Sequence, residues 1–143
     1  LHMIGRLQTN KVKFAVQIFD YIHSVDNEKL AKKIATEQNK INKNIKIFLQ
    51  VNIGNENQKS GIKKEDLNQL VSYSKEIGLD VIGLMCIPPL NFEPEGYFEE
   101  MKKLNNVLGF AELSMGMSSD FLIAAKNLST YVRVGSSIFG QRS

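Results

Sequence analysis

Two stretches late in the sequence carry residue types suited to gripping an anion. Leu113-Ser114-Met115-Gly116-Met117-Ser118-Ser119-Asp120 and Tyr131-Val132-Arg133-Val134-Gly135-Ser136-Ser137-Ile138-Phe139-Gly140 each read as a β-strand running into a Gly/Ser-rich turn. Gly116 and Gly135 let backbone N–H groups come close to a ligand, and Ser118, Ser119, Ser136 and Ser137 add hydroxyl donors. Ser118 or Ser119 is also placed to cap a helix expected from Asp120 to Leu128. The first-turn N–H groups and positive dipole end of that helix favour negative charge. Two such turns side by side form a phosphate cup; the plainer alternative is that they close two tight corners.

Arg133 is the odd residue in Val132-Arg133-Val134. It shares strand parity with Gly135, so the two are expected on one side. A guanidinium turned inward needs an acceptor, either a carboxylate of the protein or a ligand. Asn52 ends an apolar strand and offers its amide to a ligand or to its own turn. Met85 reads as packing or as a ligand wall. His2 opens a strand, and His23, in Ile22-His23-Ser24, has no partner that the sequence names. Asp20, Asp26 and Asp120 read as caps and turns. No metal-ligand spacing and no Ser–His–Asp order stands out.

The elements that must position these residues alternate. Leu1 to Gly5 is an apolar strand, followed by a short helix capped by Asn10 and a strand at Tyr21 to Val25. Asp26 is expected to cap a helix to about Lys40 that buries Leu30, Ile34 and Ile41. Ile45 to Ile53 and Val81 to Ile87 are near-continuous apolar runs, the pattern of parallel strands covered on both faces. Between them lie a polar loop at Gly54 to Gly61 and a helix at Lys63 to Ile77 that ends at Gly78. Pro94 starts a further helix with Phe98, Met101, Leu104 and Leu108 on its core face. Strict alternation argues an α/β parallel sheet of about six strand–helix units. A flavodoxin-like open sheet is the alternative to part of a barrel.

The 143 residues suffice for one core. A hydrophobic content of 43% and a charged content of 23% are ordinary for a globular domain. The net charge of +3 is mild, and the lysines are spread over helix faces, which argues against a nucleic-acid partner. No apolar run approaches a membrane span and no secretory signal is visible. Cys86 is the sole cysteine, which fits a reducing, cytoplasmic setting.

Five ordered stretches together resemble a known family: the two above, His2-Met3-Ile4-Gly5-Arg6-Leu7-Gln8-Thr9-Asn10-Lys11, Gln50-Val51-Asn52 with Lys59-Ser60-Gly61, and Gly83-Leu84-Met85-Cys86-Ile87-Pro88. They are similar to the signatures of the pyridoxal 5′-phosphate homeostasis proteins, single-domain relatives of the alanine racemase barrel. The resemblance implies a (β/α)8 TIM barrel of the alanine racemase N-terminal type. About the last six strand–helix units would be present as one domain over 1–143, with the first two strands missing. It implies pyridoxal 5′-phosphate as the cofactor, with Ser118, Gly135 and Ser136 on the phosphate and Arg133 at the pyridine nitrogen. Met85, Asn52 and His2 would lie near the cofactor.

In that family a Schiff-base lysine lies on the first strand, so it is expected to be absent here. Lys11 and Lys59 do not match its motif, and no residue is expected to be catalytic. The implied function is binding and handing on of the cofactor in the cytoplasm. Recipients would be pyridoxal-phosphate-dependent apoenzymes, and no membrane or nucleic-acid partner is implied. The alternatives are an amino-acid racemase or decarboxylase of the related barrel, another phosphate-binding barrel enzyme, and a folded fragment that binds nothing.

Overall fold

Near-continuous apolar runs separated by amphipathic segments leave the chain few ways to bury its strands, and a parallel sheet flanked by helices is the one adopted. The computed structural model describes residues 1–57 and 60–140. Its strands are β1 (His2–Met3), β2 (Tyr21–Val25), β3 (Lys46–Val51), β4 (Asp80–Cys86), β5 (Glu112–Met117) and β6 (Tyr131–Arg133). All neighbours pair in parallel, and their order in the sheet is their order in the chain. That order excludes the flavodoxin-like alternative, in which the strand order reverses at a switch point. It is the order of a (β/α)8 barrel, present here as an open arc of six strands. Aromatic side chains reach across the arc: the Tyr131 ring on β6 lies 5.4–6.0 Å from those of His2, Tyr21, His23 and Phe48 on β1 to β3.

Strand parity divides the buried residues between two faces. Ile47, Leu49, Val51, Leu84, Cys86, Leu113 and Met115 join the core between sheet and helices. The intervening Phe48, Met85 and Ser114 are equally buried but turn to the concave face. The expected central strands are therefore found, shifted by one or two residues at their ends. The first strand is shorter than Leu1 to Gly5.

The helices are α1 (Val12–Ile18), α2 (Glu28–Lys40), α3 (Leu67–Glu76), α4 (Glu95–Val107), α5 (Phe121–Lys126) and α6 (Ser136–Phe139). Turns of 3-10 helix at Thr9–Lys11 and Lys64–Asp66 lead into α1 and α3. Three expected caps differ from the structure. Asn10 lies inside the 3-10 turn, and neither that turn nor α1 has a side-chain cap. On α2 the cap is Asn27, whose side chain accepts from the Leu30 N–H at 2.9 Å. Asp26, one residue too early, accepts instead from the Gly61 N–H at 3.1 Å and anchors the polar loop. Neither Ser118 nor Ser119 caps α5: Asp120 holds that position, and its carboxylate accepts from the Met117 N–H at 2.6 Å. The short helix α6 was not expected.

Candidate functional site

A cavity of about 460 Å³ opens between β1 and β6, lined among others by His2, Ile4, His23, Tyr131, Arg133 and Gly135. Its volume falls in the usual range for small-molecule sites, roughly 300–1,000 Å³. The Arg133 guanidinium donates from Nη1 to Ser114 Oγ and from Nη2 to the Cys86 carbonyl, each at 2.8 Å. Both acceptors are neutral. The carboxylate partner that the plainer sequence reading supplied for Arg133 is therefore not the one used. Burial lowers the Arg133 pKa, yet a guanidinium stays charged at neutral pH. Burial also pushes the neighbouring Cys86 thiol up to about 12, so it is a packing residue and not a nucleophile.

His23 has partners that the sequence did not name. Its Nδ1 lies 2.9 Å from Ser114 Oγ, and its Nε2 lies 3.0 Å from His2 Nδ1. Its ring stacks on Phe48 at 4.2 Å. Burial, then the nearby His2 and Arg133, pushes its pKa down to about 4. The His2 ring stacks on Tyr21 at 4.0 Å and is also shifted down, chiefly by burial. Both imidazoles are thus neutral at pH 7. Sequence reasoning overlooked Ser114 and His23 as site residues. The available signal was parity: Ser114 alternates with the core residues Leu113 and Met115, and so must face the barrel interior.

The two Gly/Ser turns do lie side by side. Ser118 Oγ accepts from the Gly135 N–H at 3.1 Å and from the Ser137 N–H at 3.4 Å, and so bridges them. Their two glycines differ in use. Gly116, at φ 94°, is where α5 packs onto β5: an added Cβ would stand 2.6 Å from the Ala124 Cβ and 3.0 Å from the Phe121 Cα. A Cβ at Gly135 would meet nothing within 4 Å, so this backbone faces open space.

The other candidates are more scattered. Met85 is fully buried in β4. Asn52 uses both ends of its amide on its own loop, donating to the Glu56 carbonyl at 2.7 Å and accepting from the Glu56 N–H at 3.1 Å. Lys11 sits in the 3-10 turn before α1, and Lys59 lies outside the described residues. A second cavity of about 260 Å³, with Pro88, Phe92 and Asp120 on its walls, follows the ends of β4 and β5. Among the described residues, no group of three or more His, Cys, Asp or Glu is placed to hold a metal.

Residues 1–143 match the family model described as "Alanine racemase, N-terminal domain". The chain is 40% identical over 151 residues to a protein of Aquifex aeolicus named pyridoxal phosphate homeostasis protein, covering 99% of this chain and 66% of that protein. A Synechocystis protein of the same name is 38% identical over 151 residues, covering 99% of this chain and 69% of the relative. Among solved structures, PipY of Synechococcus elongatus with pyridoxal phosphate bound superposes with a TM-score of 0.88 at 33% identity, covering 97% of this chain and 69% of PipY.

Proposed function

Because the chain belongs to the alanine racemase N-terminal domain family and, within it, to the pyridoxal phosphate homeostasis proteins, we propose that it binds pyridoxal 5′-phosphate and serves the cell's supply of that cofactor as a carrier rather than as a catalyst. The observation that carries this reading is the cavity between β1 and β6. It gathers a guanidinium, two imidazoles and an open Gly/Ser turn around one space. The open backbone at Gly135 supports a phosphate there, held by the Ser136 N–H and the Ser118 hydroxyl, and by the Gly135 N–H once it turns from Ser118 Oγ. Arg133 would then meet the ring nitrogen, with Met85 below and His2 at the edge. Asn52 would have to release Glu56 to take part.

When bound, the cofactor supplies an aldehyde and an electron-withdrawing ring. A fixed guanidinium at the ring nitrogen disfavours protonating it, which weakens that withdrawal and fits holding better than turnover. Among the described residues no lysine lines the cavity, so the binding proposed for this chain is non-covalent. Exposed Ile4 beside β1, and Val132, Ile138 and Phe139 at the β6 end, fit two further strands of an eight-stranded barrel closing on these edges. The proposed setting is the cytoplasm, with pyridoxal-phosphate-dependent apoenzymes as recipients. Among the described residues no helix is long and apolar enough to cross a membrane.

Equilibrium dialysis against pyridoxal 5′-phosphate tests this reading. Gly135 is outside the left-handed region, at φ −127°, and a Cβ there meets no atom within 4 Å, so Gly135→Leu fills the space without a clash at its Cβ. The expected result is an unchanged far-UV circular dichroism spectrum and at least tenfold weaker binding, about 1.4 kcal/mol. A variant that binds as tightly as the parent would overturn the assignment.

A further inference from the structure

We propose that His2, His23, Ser114 and Arg133 form one hydrogen-bonded relay with a single donor sense. In it Ser114 is the positioning residue, and His2 presents an Nε2–H donor to the cavity for an acceptor atom of the ligand. The ligand half of this inference rests on the reading that the cavity takes pyridoxal 5′-phosphate; the relay half does not.

The donor sense follows from what each group is able to give. A guanidinium has donors only, so Ser114 Oγ accepts from Arg133. Ser114 is wholly buried, and the other polar atom bonded to its hydroxyl is His23 Nδ1 at 2.9 Å. If that nitrogen carried the proton, Ser114 Oγ would accept twice and its own hydrogen would face no acceptor, a costly orphan in the interior. Ser114 therefore donates to His23 Nδ1. A neutral His23 then carries its proton on Nε2 and donates to His2 Nδ1 at 3.0 Å. A neutral His2 carries its proton on Nε2. Its ring is held by the stack on Tyr21, and it forms part of the cavity wall. The fixed donor at Arg133 is in this way transmitted through three side chains to a second donor.

The test is the tautomer of each histidine, read by long-range ¹H–¹⁵N correlation on histidine-labelled protein at pH 7. Pyridine-type Nδ1 and pyrrole-type Nε2 signals are expected from both His2 and His23. An Nδ1–H tautomer or an imidazolium at His23 would overturn the relay. In Ser114→Ala the fixed tautomer of His23 should be lost. The dissociation constant for pyridoxal 5′-phosphate should rise about tenfold, with that for inorganic phosphate unchanged. Tautomers that survive the substitution would also overturn the relay. If Ser114→Ala does not fold, the parent spectrum decides alone. If the parent shows the expected tautomers but binds no pyridoxal 5′-phosphate, the relay stands and the proposed ligand falls.

Discussion

His23 ties the site to the stability of the fold through its protonation. Its pKa falls from 6.5 to about 4 in the folded chain, first through burial and then through His2 and Arg133. Between those values the unfolded chain binds a proton that the folded chain refuses. The neutral His23 therefore favours folding fully above 6.5, and that advantage is lost as the pH falls to about 4. His2 shifts in the same direction. The thermal midpoint is expected to drop across this interval, and His23→Asn should flatten the drop. An unchanged slope in circular dichroism melts of the variant would show that His23 is not its source. Glu37 acts lower: hydrogen bonds from Lys33 and Lys40 pull its pKa from 4.5 to about 2, so its share is lost only through that more acidic range. None of this was legible at His23 in the sequence, where the residue had an identity but no partner. Its contacts lie 21 and 91 residues away: pairing of β1 with β2 brings up His2, and the curvature of the sheet brings Ser114 across from β5.

At the scale of elements, the helix-facing side of the sheet and the packing of α5 carry separable loads. Leu49 is completely buried in β3 within the core between sheet and helices. Leu49→Ala should cost about 2–5 kcal/mol in denaturant titrations; a loss below 1 kcal/mol would mean that this core is loosely packed. Gly116→Ala combines a positive φ with a clash against Ala124. It should destabilise the fold by about 1–3 kcal/mol, and a neutral result would place α5 elsewhere.

The strands and longer helices were readable because apolar runs and helical stripes report burial directly. The caps were less readable. Asp26 and Asn27 are both good cap residues in adjacent positions, and a loop 35 residues away takes Asp26 for itself. Likewise Ser118 is spent on bridging two turns, which leaves the α5 cap position to Asp120. The four residues of α6 are too few to show a helical period.

At the scale of the whole molecule, strict strand–helix alternation gave the fold class, and five ordered motifs pointed to the family. The strand order then decided between barrel arc and open switch-point sheet, which composition alone leaves open. The positions of Arg133 and Gly135 on one cavity were legible from their shared parity. The bridging role of Ser118 and the loop role of Asn52 were not, because both depend on how turns meet in space. If the cavity holds its ligand without a covalent link, borohydride reduction of the protein with pyridoxal 5′-phosphate should leave no lysine stoichiometrically modified, as read by peptide mass spectrometry. One fully labelled lysine would contradict the non-covalent reading.

The most direct measurement is a crystal structure of the protein with pyridoxal 5′-phosphate. The account predicts the phosphate at the backbone of Gly135 and Ser136, with the ring nitrogen turned to Arg133. Density for the cofactor in the cavity beyond β4 and β5, or none between β1 and β6 at saturating ligand, would contradict it.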